Sequence, residues 1–262
     1  MRLLALIKQV PDTFARLALT SDAQGIETKD LGWVISPYDE FAIEAALRLR
    51  EAHTGEVIVA SLGPARVVDS LRQALAMGAD AAFHFTDAAF EGADAAATAL
   101  VFSKWLAGQQ FDLILCGRQA VDDDCQLVHA AVAERLGWPH VHVVRQLEVD
   151  PATKTMTAHR DVEGGVEVVR CPLPAVITCQ WNMNQPRLPS LQGIMKAKSK
   201  PITPVSAADA GVTADDVAGA CDLRYGDFAY PAQKRQNKII AGEPAAVVKE
   251  LVRLLREEAK VL

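Results

Sequence analysis

The chain has 262 residues, half of them apolar, enough for a full core as one large α/β unit or a unit with an appendage. Its net charge of −6 and isoelectric point near 5.5 supply no overall basic field for nucleic acid or an anionic membrane. The five cysteines, Cys116, Cys125, Cys171, Cys179 and Cys221, are scattered and contain no CxxC pair, so no disulfide framework or zinc knuckle is indicated and a reducing, cytoplasmic compartment is expected.

Residues 3–8 are apolar until Lys8. The run is too short for a signal peptide or a membrane span and predicts a strand buried on both faces of a soluble protein. Residues 18–30 are polar and predict a small excursion, such as a hairpin. Residues 36–52 predict a helix with Ser36 as N-cap, Pro37 at its first position and Asp39 three residues past the cap. Tyr38, Phe41, Ala42, Ala45 and Leu49 share its apolar face. Strands are predicted over 56–63, 81–86 and 111–117. Helices are predicted over 65–78, with Val68, Leu71 and Leu75 as the stripe, over 93–107, and from the loop after 117 to about Leu136. This alternation predicts a Rossmann-like parallel sheet with helices on both faces.

The tempo then changes. Residues 141–149, 155–161, 165–171 and 173–180 predict strands added antiparallel to the sheet. Residues 181–200 are irregular and partly basic. Residues 201–242 have weak periodicity and predict an extended arm. Residues 243–262 predict an amphipathic helix with Val247, Leu251, Leu254 and Leu255 on one side.

In an open α/β sheet ligands bind beyond the carboxyl ends of the strands, which singles out residues 6–13, 36–39, 61–66 and 117–129. No G-x-G-x-x-G or Walker sequence is present. The last stretch reads GRQAVDDDCQLVH. Gly117 permits close backbone approach, and the amides opening the next helix suit an anion such as a nucleotide phosphate. Asp122, Asp123 and Asp124 would weaken that field if all pointed inward, so one is expected to cap the helix and another to accept from Arg118 or a ribose hydroxyl. The plain alternative is a strand-to-helix loop with a capping aspartate; a divalent metal on the three acids is less favoured. His140 and His142 share a strand face, but no third ligand is apparent, and no metal centre is expected. Residues 184–201 interleave Leu188, Leu191, Ile194 and Met195 with prolines, Gly193 and lysines, which suits an exposed docking element.

Taken together, IKQVPDT, SPYDEFAIEAALRLRE, SLGPA followed by ALAMGAD, GRQAVDDD and LPSLQGIMKAKSKPI resemble, in order, the sequence blocks of the β subunit of electron-transfer flavoproteins. The resemblance covers essentially the whole chain. It implies a non-enzymatic electron carrier: a heterodimer with an α subunit that holds most of a redox-active FAD, takes electrons from acyl-CoA-type dehydrogenases and passes them to an acceptor such as a quinone oxidoreductase. It also implies an AMP in the β subunit, or in the electron-bifurcating branch a second FAD with NADH as substrate. The nucleotide contacts it implies fall on Leu6, Lys8, Ser36, Pro37, Tyr38, Asp39, Leu62, Gly117, Arg118, Gln119, Ala120, Val121, Asp122, Asp123, Asp124, Cys125, Gln126, Leu127 and Val128. Tyr38 would also neighbour the α subunit's flavin. Partner docking falls on Leu191, the anchor, with Ile194, Met195 and Lys196, in a recognition loop over 182–201. Lys196 matches a lysine methylated in some members, Ser199 replaces a second one, and Asp161 matches an acid implicated in partner release. Residues 1–200 would form the nucleotide-binding domain, and 201–262 an arm and helix packing on the α subunit. The pattern departs from the family at 126–129, where Gln-Leu-Val-His lacks the threonine that could donate to phosphate and His129 stands for a glycine. His129 would either donate to the phosphate or narrow the pocket. The three aspartates resemble the AMP branch.

Overall fold

The computed structural model describes residues 1–230 and 237–262. Its first strand, β1 (Arg2–Leu6), is followed by a short antiparallel pair, β2 (Gln9–Pro11) and β3 (Trp33–Ile35), with a Leu19–Ile26 bridge in the polar excursion between them. Then come α1 (Pro37–His53), β4 (Glu56–Leu62), α2 (Val67–Met77), β5 (Ala81–Phe85), α3 (Ala95–Leu106), β6 (Leu113–Gly117) and α4 (Val128–Leu136). The second half holds β7 (His140–Asp150), β8 (Thr155–Val162), β9 (Gly165–Pro172), β10 (Ala175–Cys179), α5 (Leu191–Ala197), β11 (Ile202–Val205), α6 (Ala207–Ala210), α7 (Ala214–Ala220) and α8 (Pro244–Glu257). Nine strands form one sheet in the order β11-β5-β4-β1-β6-β10-β7-β8-β9. The fold is α/β, mostly parallel, with helices on both faces.

β1 shows why the sheet must be covered twice. Leu3 and Ala5 enter the core under α1 and α2, whereas Leu4 and Leu6 enter the core under α3 and α4. Successive side chains of a strand point to opposite faces, so a continuous apolar run is satisfied only between two helical layers. Leu3, Leu4 and Ala5 are fully buried, and each such leucine contributes roughly 1.5–3 kcal/mol by leaving water.

Several expectations are corrected. Ser36 occupies the N-cap position of α1, but its hydroxyl caps nothing: it is fully buried without a partner among the described residues, while its amide donates to Lys8 O at 2.8 Å. α2 begins two residues later than expected, so Val67 joins Leu71 and Leu75 in the core and Val68 is only half-buried. α4 begins at Val128 with Leu127 at its N-cap, and none of the three aspartates caps it. Of the late strands, β8 and β9 are antiparallel additions, but β10 lies between β6 and β7 and is parallel to both. The segment expected to be irregular contains α5, capped by Ser190, whose hydroxyl accepts from Gly193 N at 3.0 Å.

Much of the expected arm is also regular. β11 extends the sheet as a parallel edge beside β5, and α6 and α7 follow through two capping boxes, Ser206 with Asp209 and Thr213 with Asp216. Part of that arm, 231–236, lies outside the described residues. α8 starts at Pro244; only Leu254 of its apolar side is buried, and Val248, Leu251 and Val252 are exposed. Among the described residues no helix is long and apolar enough to cross a membrane.

Candidate functional site at the carboxyl edge of the sheet

The ends of β1 and β6 meet the start of α1 through Asp39. One carboxylate oxygen accepts from Lys8 N at 2.7 Å and the other from Gly117 N at 2.9 Å. Burial pushes the Asp39 carboxyl up to about 7, against the two amides and the Lys8 charge, which favour the ionised form. Gly117 does permit a close approach, but the approaching group is α1. A Cβ there would collide with an Asp39 carboxylate oxygen and fall 2.7 Å from the Tyr38 carbonyl carbon. Leu6 is buried beside this junction, Pro37 and Tyr38 form the first turn of α1, and Leu62 closes β4 on the far side of β1.

The loop from Arg118 to α4 is organised by Lys8, which was expected among the nucleotide contacts but not as a partner of the aspartates. Its ammonium lies 2.8 Å from Asp122 and 2.9 Å from Asp123. Burial opposes the lysine's charge, but the two aspartates outweigh it and the Lys8 pKa is raised. Asp123 also accepts from Cys125 N, and Asp124, at positive φ, accepts from Gln119 Nε2 at 2.6 Å. Gln126 donates to Gln119 Oε1, and Asp124 N to Ala120 O, so Val121 is enclosed in a tight turn. One of the aspartates was expected to accept from Arg118 or from a ribose hydroxyl, and no aspartate pairs with Arg118 among the described residues. The Arg118 Nε is buried and unpartnered among the described residues, as are the hydroxyls of Ser36 and Ser61.

These features fit an anionic ligand rich in hydroxyl groups. The first amides of α4 have no side-chain cap, Lys8 offsets part of the negative charge of the acids beside them, and orphaned polar atoms lie at three strand ends. Such amides, with the positive end of the helix dipole, bind phosphate without help from side chains. An open hollow of about 640 Å3 lies elsewhere, between α1 and β7, and none of the residues predicted to contact nucleotide lines it.

His129 does not face this loop as a charged donor. It is buried, with Nε2 3.2 Å from Arg118 O and Nδ1 3.1 Å from His140 Nε2. Burial, then the neighbouring His140 and His142, lowers its pKa to about 3, so the ring is neutral. With His140 and His142 it forms a cluster, as the third member that strand spacing alone could not show.

The docking segment is held firmly and presents its apolar residues outward. Arg187 forks onto Glu44 and Glu51 at 2.7 and 2.6 Å, and Asn184 donates to Phe41 O at 2.9 Å, fixing the approach to α1. Gly193 sits against the Ala76 carbonyl, where a Cβ would collide, and Arg72 donates to the carbonyls of Ala197 and Lys200. Leu191 is 76% exposed, Met195 66% and Ile194 46%, with Lys196 beside them. Asp161 accepts from Arg145 at 3.3 Å on the antiparallel extension.

A parallel sheet with a loop at its carboxyl edge, an uncapped helix beside that loop and a short helix with exposed apolar side chains define an α/β protein of the open-sheet class. The electron transfer flavoprotein domain model matches residues 25–210. The chain is 36% identical, over the full length of both chains, to the electron transfer flavoprotein subunit beta of Bacillus subtilis. It is 36% identical, again over the full length of both, to the mitochondrial subunit beta of Arabidopsis thaliana. It is 39% identical to the subunit beta of Thermoanaerobacterium thermosaccharolyticum over 80% of this chain and 79% of that one. The chain belongs to the electron transfer flavoprotein family.

Proposed function

We propose that the chain is the β subunit of a heterodimeric electron carrier. Its α partner would hold FAD, accept electrons from an acyl-CoA-type dehydrogenase and deliver them to an acceptor such as a quinone oxidoreductase. The observation that carries this reading is α5: an exposed leucine and methionine on a helix fixed to α2 and reached through a segment fixed to α1, in a chain of this family. Bound flavin supplies the redox chemistry. This chain's own residues then dock and position: Leu191 seats in the dehydrogenase, Ile194, Met195 and Lys196 surround it, and Tyr38 borders the flavin. The exposed side of α8 packs on the α subunit.

The loop site would take AMP, with the α4 amides on its phosphate and Lys8 bridging Asp122 and Asp123 and offsetting part of their charge. The three-aspartate turn favours AMP over a second FAD, and the five free cysteines suit the cytoplasm. Co-expression with the α subunit, denaturation and chromatography of the released ligands test this. About one flavin and one AMP per pair support the carrier; about two flavins and no AMP would make it a bifurcating, NADH-oxidising subunit instead.

A further inference from the structure

We propose that His129, His140 and His142 together bind one transition-metal dication of the zinc class, pinning the first turn of α4 to β7. His129 comes from α4; His140 and His142 come from alternate positions of β7 and so share one of its faces. One nitrogen from each ring lies within 4.8 Å of the other two. Ring centroids are 5.1, 5.0 and 5.9 Å apart. Three imidazoles converging on a metal at about 2.0–2.1 Å would have centroids about 5 Å apart, so the two pairs that include His129 already fit and His140 and His142 must close by about 1 Å.

The outer nitrogens of His129 and His142 are already held, as in metal sites whose ligands are oriented by a second hydrogen bond. His129 Nε2 lies against Arg118 O, which leaves Nδ1 toward His140 Nε2 at 3.1 Å. His142 Nδ1 lies 2.8 Å from Thr178 Oγ1, which leaves Nε2 inward, now 2.8 Å from Gln126 Oε1. Metal would replace the Gln126 contact. The backbone beside His142 carries a bulge: Val143 has φ of 62°, a conformation costly for a β-branched residue, and its amide donates to Thr178 Oγ1. That bulge aims the His142 ring.

Burial keeps all three rings neutral near pH 7, so protons do not compete for the ligand nitrogens. An all-imidazole donor set selects zinc, copper, nickel or cobalt over magnesium or calcium, which prefer oxygen. The charges of Arg118 and Arg160 reach His142 and oppose a bare dication, so an anionic fourth ligand, such as hydroxide, completes the site.

The test uses the full chain co-expressed with its α subunit, purified without a polyhistidine tag and stripped by chelator. Zinc titration by calorimetry should show one saturable site. His140→Gln and His142→Gln should each weaken it about tenfold or more, while His53→Gln, at the far end of α1, should leave it unchanged. Cobalt(II) added to the wild-type pair should give the intense visible bands of a four-coordinate ion. Absence of saturable zinc binding by the wild type, cobalt bands of an octahedral aquo ion only, or equal affinity in all three variants would overturn the proposal. Flavin and AMP content, measured on the same samples, report on the nucleotide site separately.

Discussion

Asp39 receives the Lys8 and Gly117 amides on its two carboxylate oxygens, at 2.7 and 2.9 Å, and so ties two parallel strands to one helix start. Its folded pKa of about 7 lies above the ordinary carboxylate value of 3.8. Between those values the folded state holds a proton that the unfolded state has lost. The contribution of Asp39 to stability therefore falls as pH rises from about 4 to about 7, by on the order of 2–4 kcal/mol, and is level above. Urea unfolding of wild type and Asp39→Asn at several pH values checks this: the difference between the two should shrink over that interval. A difference flat from pH 5 to 8 would assign the carboxyl an ordinary pKa.

Gly117→Ala places a methyl group into the Asp39 carboxylate and the Tyr38 backbone. The backbone cannot swing aside, and the carboxylate is held by the amides of Lys8 and residue 117. We expect a loss of about 1–3 kcal/mol, seen as a lower urea midpoint, and weaker AMP retention from displacement of the loop.

Leu191→Ala should slow reduction by the dehydrogenase about tenfold or more, as for a buried interface anchor, with flavin content and heterodimer unchanged. Loss of flavin in this variant would contradict the docking role. Gly193→Ala should do the same from behind, because a Cβ there meets the Ala76 carbonyl and lifts α5 from α2.

Arg187→Ala removes the fork onto Glu44 and Glu51. Glu44 is 2% exposed and keeps only Arg48 and the backbone amide of residue 187. Burial alone would raise its pKa, but Arg187 and Arg48 outweigh it and hold the carboxyl below the usual range. The stability it contributes is present at neutral pH and is lost as pH falls through that lowered value. We expect the variant to lose about 1–3 kcal/mol at pH 7, and its deficit to narrow in acid, as followed by thermal unfolding.

The strands of the first half were legible because parallel strands buried on both faces leave unbroken apolar runs such as LLAL and VIVAS. β10 has the same signature, AVITC, but its direction depends on which strands flank it, and only the assembled sheet shows that. β11 is short and contains Pro204, so its pattern was lost in a stretch of turn residues. α5 was obscured by Pro186, Pro189 and Gly193, although Ser190 three residues before Gly193 is an N-cap signal. α6 and α7 carried readable capping boxes, with aspartate where glutamate is commoner. At the site, the residues near Gly117 were found from strand ends alone. The Lys8 pairs and the third histidine were not, since each joins segments brought together only by the fold.

The route of the chain between β10 and β11 has a mechanical meaning. To pass from one to the other it must travel over β6, β1, β4 and β5, and α5 lies on that bridge. A protein that grips the helix therefore pulls on a span anchored in mid-sheet at one end and in the sheet margin at the other. Capture and release would then not be events of a dangling tip; the load would be shared across the sheet from β10 to β11.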